Sequence, residues 1–147
     1  MIKNKILALK YRPQEFEDLI GQEVMAQTIT NAIKIGKTPN AYLLTGIRGV
    51  GKTTTARLIA KALNCQKNQD NNIKCSKEKF CPTCVEIIGS NHIDILEMDA
   101  ASKTGIDDIR ELIESSKYSP TSANYKIFII DEVHMLSKQA FNGLLKT

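Results

Sequence analysis

The chain has no tryptophan among its 147 residues, and aromatics make up only 5%. A protein that grips single-stranded nucleic acid on many stacking platforms is therefore excluded, because each platform needs an aromatic face. There are eight glycines and four prolines, too few for a collagenous or low-complexity chain. No apolar run approaches the roughly 18 residues needed to cross a bilayer. The lysine-flanked stretch Ile6-Leu7-Ala8-Leu9 is too short for a signal-peptide core of about 7–15 residues. No partner in a membrane is expected, and a cytoplasmic location is. Hydrophobic residues at 42% and charged residues at 24% fit one globular domain with a modest core. The net charge of +4 tolerates polyanions without identifying one.

Residues 1–20 read as an extended arm. Val24, Met25, Ile29, Ala32 and Ile33 have helical spacing, and Gly36 falls where a helix ends. Residues 41–45 read as a short buried strand, followed by a glycine-rich loop and a helix through Ala56, Leu58, Ile59, Ala62 and Leu63. Residues 64–84 exchange aliphatics for Gln, Asn, Lys and Cys, as an insertion with no hydrophobic core of its own would. A second strand is expected over 93–98. A helix opened by Thr104 and Asp107 should follow, then a third strand over 126–131 and a last helix from Ser137. Strands alternating with helices predict an α/β fold around a parallel sheet.

Gly46-Ile47-Arg48-Gly49-Val50-Gly51-Lys52-Thr53 matches G-x-x-x-x-G-K-[ST] at every fixed position. Its glycines allow a tight turn whose amides face phosphate oxygens, and the following helix adds its positive N-terminal end, including Thr54. Lys52 supplies charge to the β- and γ-phosphates, and the Thr53 hydroxyl can ligate Mg²⁺. A chance glycine turn is the competing reading. With glycine near 7% of residues, such a match arises by chance on the order of once in a few hundred chains. Arg48 can face solvent, phosphate or a neighbouring subunit.

Four apolar residues precede Asp131 and Glu132. At the carboxyl end of a strand, Asp131 can hold Mg²⁺ through water and Glu132 can orient or deprotonate a water. The plain alternative is an acidic surface turn. Cys65, Cys75, Cys81 and Cys84 suit a closed tetrathiolate Zn²⁺ site that would supply the insertion's folding energy. A redox pair at Cys81 and Cys84, or simple packing of Cys65, are the rival readings. His92 and His134 read as packing or polar residues, with a supporting role at the nucleotide site open to His134.

Taken in order, Leu9-Lys10-Tyr11-Arg12-Pro13, Ile20-Gly21-Gln22, the loop from Gly46 to Thr53, the four cysteines, Met98-Asp99-Ala100-Ala101-Ser102 and Asp131-Glu132-Val133-His134-Met135-Leu136 resemble one family across the whole chain. That family is the bacterial DNA polymerase III tau/gamma clamp-loader ATPases, and the likeness is to their N-terminal domain. The resemblance implies a P-loop AAA+ parallel sheet with helices on both faces, using ATP, Mg²⁺ and Zn²⁺. It implies that ATP opens a sliding clamp and that hydrolysis on primer-template DNA releases it, within a hetero-oligomer of clamp-loader subunits. Tyr11, Arg12 and Pro13 would line the adenine side.

Two departures stand out. The family spaces its second and third cysteines as C-x-x-C, whereas five residues separate Cys75 from Cys81. The family also continues past Thr147 with a strand bearing a sensor residue and a later arginine donated to a neighbour's ATP. The expectation is thus one truncated AAA+ domain over 1–147 with a zinc insertion at 64–84, binding nucleotide weakly at most. Residues 41–45 and 126–131 should not pair directly, and each should lack a neighbour. A remnant that binds nucleotide and zinc without turnover is the main alternative. A helicase is the third reading, disfavoured by the cysteines.

Overall fold

The computed structural model describes residues 6–47, 51–68, 72–73, 75–102 and 106–146. Two compact units divide the chain at Met1–Cys81 and Pro82–Thr147. In the first, helix α1 (Leu7–Lys10) is one turn long and stops before Arg12, which the ring of Pro13 forces out of helical geometry. The arm is therefore not wholly extended. A second departure is a 3₁₀ turn at Phe16–Asp18, closed by reciprocal caps between Glu15 and Asp18.

Helix α2 (Glu23–Lys34) buries Ala26 and Ile29 and packs on α3 (Lys52–Asn64), which buries Leu58, Ile59 and Ala60. The C-terminus of α2 is a full Schellman motif. Gly36, at φ +67°, donates to Ile33 O at 3.1 Å, and Lys37 N–H donates to Ala32 O at 3.0 Å.

The strand expected over 41–45 does not form. These residues belong to no ladder, Leu43 is 76% exposed, and the buried Tyr42 hydroxyl has no hydrogen-bond partner. An apolar run becomes a strand only when a neighbour accepts its backbone hydrogen bonds.

The second unit opens with α4 (Pro82–Ile88), a helix not expected from the sequence. Proline starts it because the first helical residue needs no N–H donor. Strand β1 (Ile95–Asp99), helix α5 (Ile106–Ser116) and strand β2 (Ile127–Asp131) follow, and the strands pair in parallel with Ile95 opposite Ile127 and Asp99 opposite Asp131. Helix α6 (Lys138–Leu145) is capped by Ser137, whose Oγ accepts from Ala140 N–H at 3.2 Å. It packs on α5, where a Cβ at Gly143 would meet Ile113 Cδ1 at 3.5 Å. The α/β class and its parallel pair thus agree with expectation. Thr104 lies outside the described residues. No helix among the described residues is long and apolar enough to cross a membrane.

Asp94 is the unit's main buried polar anchor, at 1% exposure. Its Oδ1 accepts from Thr121 N–H at 2.7 Å, and its Oδ2 from Ser122 N–H at 2.8 Å and Ala123 N–H at 2.9 Å. Burial alone would raise its pKa, but these amides and the Ser122 hydroxyl prevail and bring it down to about 2.

Candidate functional site

Gly46, Ile47, Gly51, Lys52, Thr53 and Thr54 of the glycine-rich motif lie in the first unit. Gly51 adopts φ +87° and caps α3, so the helical ladder begins with Thr55 N–H donating to Gly51 O at 2.8 Å. The amides of Lys52 and Thr54 consequently emerge at the helix N-terminus rather than within its ladder. Lys52 Nζ donates to Gly46 O at 2.5 Å, which folds the ammonium back over the start of the loop. Thr53 is half-buried and Thr54 is buried. Arg48, Gly49 and Val50 lie outside the described residues. An α3 N-terminus with the Lys52 ammonium held beside it on Gly46 O has the donors and charge to hold a polyphosphate.

Lys10, Tyr11, Arg12, Pro13 and Gln14 line an open cleft of about 400 Å³, together with Asp18 and Lys77. Lys77 reaches this cleft from the cysteine segment through an ion pair with Asp18, and its Nζ lies 3.9 Å from Glu15. Lys61 of α3 donates to Gln14 O and stands 4.1 Å from the Phe80 ring centroid. Neither lysine was foreseen. Their partners are distant in sequence, and a lysine on a helix or in a polar loop carries no spacing signal.

Asp131 and Glu132 lie in the second unit, at the carboxyl end of β2. Asp131 Oδ1 accepts from the Glu132 N–H at 2.9 Å. Glu132 holds φ +53°, unusual for a residue with a side chain, and its Oε2 lies 3.2 Å from His134 Nε2. His134 thus touches the carboxylate beside it, while His92 is a buried packing residue whose Nδ1 accepts from Asp94 N–H at 3.1 Å.

The thiol sulfurs of Cys65, Cys75, Cys81 and Cys84 all lie within 4.8 Å of one another. None is in a disulfide. Cys65 caps the C-terminus of α3, Cys84 sits in the first turn of α4, and Cys81 and Cys84 are buried at 2% and 0% exposure. A tetrahedral site with Zn–S near 2.3 Å has sulfurs about 3.8 Å apart, so a small contraction would close this set around an ion. The four-thiol donor set fits zinc and leaves no coordination position open, which suits a structural ion.

The model for the family described as "DNA polymerase III, delta subunit" matches residues 21–147. The chain is 47% identical over 143 residues to a DNA polymerase III subunit gamma of Buchnera aphidicola, covering 97% of this chain and 38% of that protein. It is 44% identical over 143 residues to a DNA polymerase III subunit tau of Escherichia coli, covering 97% and 22% respectively. A tau subunit of Bacillus subtilis is 45% identical over 137 residues, covering 93% and 24%. The chain thus spans between about a fifth and two fifths of the length of these relatives and matches their N-terminal part.

Proposed function

The chain belongs to the DNA polymerase III delta-subunit family, a clamp-loader family, and from that premise we propose that it is an ATP-binding and hydrolysing module of a clamp loader. The observation that carries the proposal is local. Gly51 starts α3 in a left-handed turn while Lys52 lies back across Gly46, the arrangement a phosphate loop needs. The amides from Gly46 to Thr54, with Ile47, Arg48, Gly49 and Val50 between, take the phosphate oxygens in this reading. Tyr11, Arg12 and Pro13 face the adenine.

Mg²⁺, when bound, neutralises phosphate charge as it develops; Thr53 and Asp131 are the residues that would hold it. Glu132 orients and deprotonates the attacking water. Cys65, Cys75, Cys81 and Cys84 hold zinc for structure. Other clamp-loader subunits, the sliding clamp and primer-template DNA are the proposed partners, in the cytoplasm. One AAA+ domain carrying a zinc insertion is the proposed organisation of the chain.

The test is binding of a fluorescent adenosine nucleotide, followed by steady-state ATP hydrolysis, in the wild-type chain and Lys52→Ala. Binding and turnover that vanish in the variant support the proposal. Binding without turnover favours the non-catalytic reading, and equal binding by both chains overturns the phosphate-loop assignment.

A further inference from the structure

The cysteine segment does more than close around its own thiols. Ser76 and Lys79 form an isolated antiparallel bridge, with Ser76 N–H donating to Lys79 O at 3.2 Å and Lys79 N–H to Ser76 O at 3.0 Å. Lys77 and Glu78 form the turn of this tight hairpin, which Cys75 and Cys81 bracket. Cys81 N–H donates to Cys75 Sγ at 3.4 Å, so the two cysteines already approach at the hairpin's base. The widened Cys75–Cys81 spacing therefore has a structural content: it builds a loop whose tip bears a cation.

That cation is directed at the arm. Lys77 pairs with Asp18, and Asp18 Oδ2 in turn accepts from the N–H groups of Gln14 and Glu15, both at 3.3 Å. Gln14 is also tied through its carbonyl to Lys61, whose ammonium stands over Phe80 of the cysteine segment. Lys61 lies nine residues beyond Lys52 on α3, or about 13 Å along one rigid helix. The wall formed by Lys10–Gln14 is thus held from two sides. One tie is the hairpin between Cys75 and Cys81 of the four-thiol cluster, and the other is the helix that begins at Lys52.

We infer that Lys77 is a positioning residue of the adenosine side of the nucleotide site, so that closing the cysteines on a metal ion sets the arm that receives the base. The inference rests on the nucleotide reading above and adds to it the regulation of that site. Each contact is partly exposed, and pairs of this kind change an equilibrium by only a few-fold. The coupling is accordingly a modest tuning of affinity, and it acts on the base end of the ligand rather than on its phosphates.

The test compares ADP with inorganic tripolyphosphate, which has no base, as ligands of the 147-residue chain. Lys77→Ala should weaken ADP about two- to five-fold and leave tripolyphosphate unchanged, Lys77→Arg should restore ADP affinity, and removing zinc with a chelator should act like Lys77→Ala. General destabilisation would weaken both ligands together. Lys52→Ala should weaken both, and its failure to do so overturns the phosphate-loop reading itself. If Lys52→Ala acts but Lys77→Ala leaves the ADP-to-tripolyphosphate ratio unchanged, the positioning role is overturned. Should the stripped chain unfold, as its circular dichroism would report, the Lys77 variants decide alone.

Discussion

Glu132 Oε2 lies 3.2 Å from His134 Nε2, two residues along a chain that turns left-handed at Glu132 itself. The turn is held by Glu132 N–H donating to Asp131 Oδ1 at 2.9 Å and by Met135 N–H donating to Glu132 O at 2.9 Å. Left-handed backbone costs a residue with a side chain roughly 1–2 kcal/mol, and glycine avoids that cost. Glu132→Gly should therefore raise stability by up to about 1 kcal/mol, after glycine's extra unfolded-state entropy is subtracted. Glu132→Gln should leave stability nearly unchanged and slow ATP turnover about 100-fold or more while nucleotide still binds. Thermal unfolding and a turnover assay on both variants check this; a Glu132→Gln chain that keeps full turnover would remove Glu132 from the chemistry.

Gly36 and Gly51 make a matched pair. Both hold positive φ, +67° and +87°, and a Cβ at either would meet nothing within 4 Å. Substitution by alanine is therefore penalised by backbone conformation alone, by about 1–2 kcal/mol at each site. Both variants should lose similar stability in urea unfolding. Only Gly51→Ala should also weaken nucleotide binding, because only Gly51 starts the helix behind the phosphate loop. Equal nucleotide affinity in the two variants would separate that turn from ligand binding.

Local chemistry was legible in the sequence, and long-range chemistry was not. Gly36, Gly51, Ser137 and the strand ending at Asp131 could be read because each signal acts within a few residues of itself. The run at 41–45 misled because its apolar pattern signals a strand even where, as the family resemblance already implied, no neighbour accepts its backbone hydrogen bonds. Helix α4 gave no signal of its own because its first turn falls inside the cysteine insertion at 64–84, although Pro82 suits a first helical position. Four cysteines predicted a cluster, and their sulfurs do converge. The attachment of that segment to the arm through Lys77 and Lys61 was invisible, since Asp18 and Lys77 are 59 residues apart.

Asp94 sets a pH dependence. Its folded-state pKa of about 2 is depressed from the ordinary 3.8, so its contribution is fully present above the unfolded value and disappears as pH falls from about 4 towards 2. A shift of this size corresponds to about 2 kcal/mol. Asp94→Asn replaces an acceptor of several N–H groups with an amide that must turn its own NH₂ towards some of them. The variant should be about 2 kcal/mol less stable at pH 7 and should lose most of this acid-sensitive component. Urea unfolding at pH 7, 4 and 2.5 measures both effects, and parallel pH profiles for the two chains would show that Asp94 contributes nothing to acid stability.

The cysteines offer the sharpest stability test because a closed tetrathiolate is all-or-none in its ligand count. Purified chain should carry about one zinc ion, and atomic absorption showing less than about a tenth of an equivalent would sink the site. Chelation should lower the unfolding midpoint, since the segment buries cysteines, Asn64 and Thr83 but no aliphatic side chain within 64–84 among its described residues. Serine replacements separate metal loss from packing loss. Cys84 is fully buried and Cys75 only half so, hence both variants should lose zinc affinity, while Cys84→Ser should lose more stability in metal-free chain. If Cys75→Ser retains full zinc, the hairpin is not clamped by the metal, and the wide spacing from Cys75 to Cys81 is then a property of the loop alone.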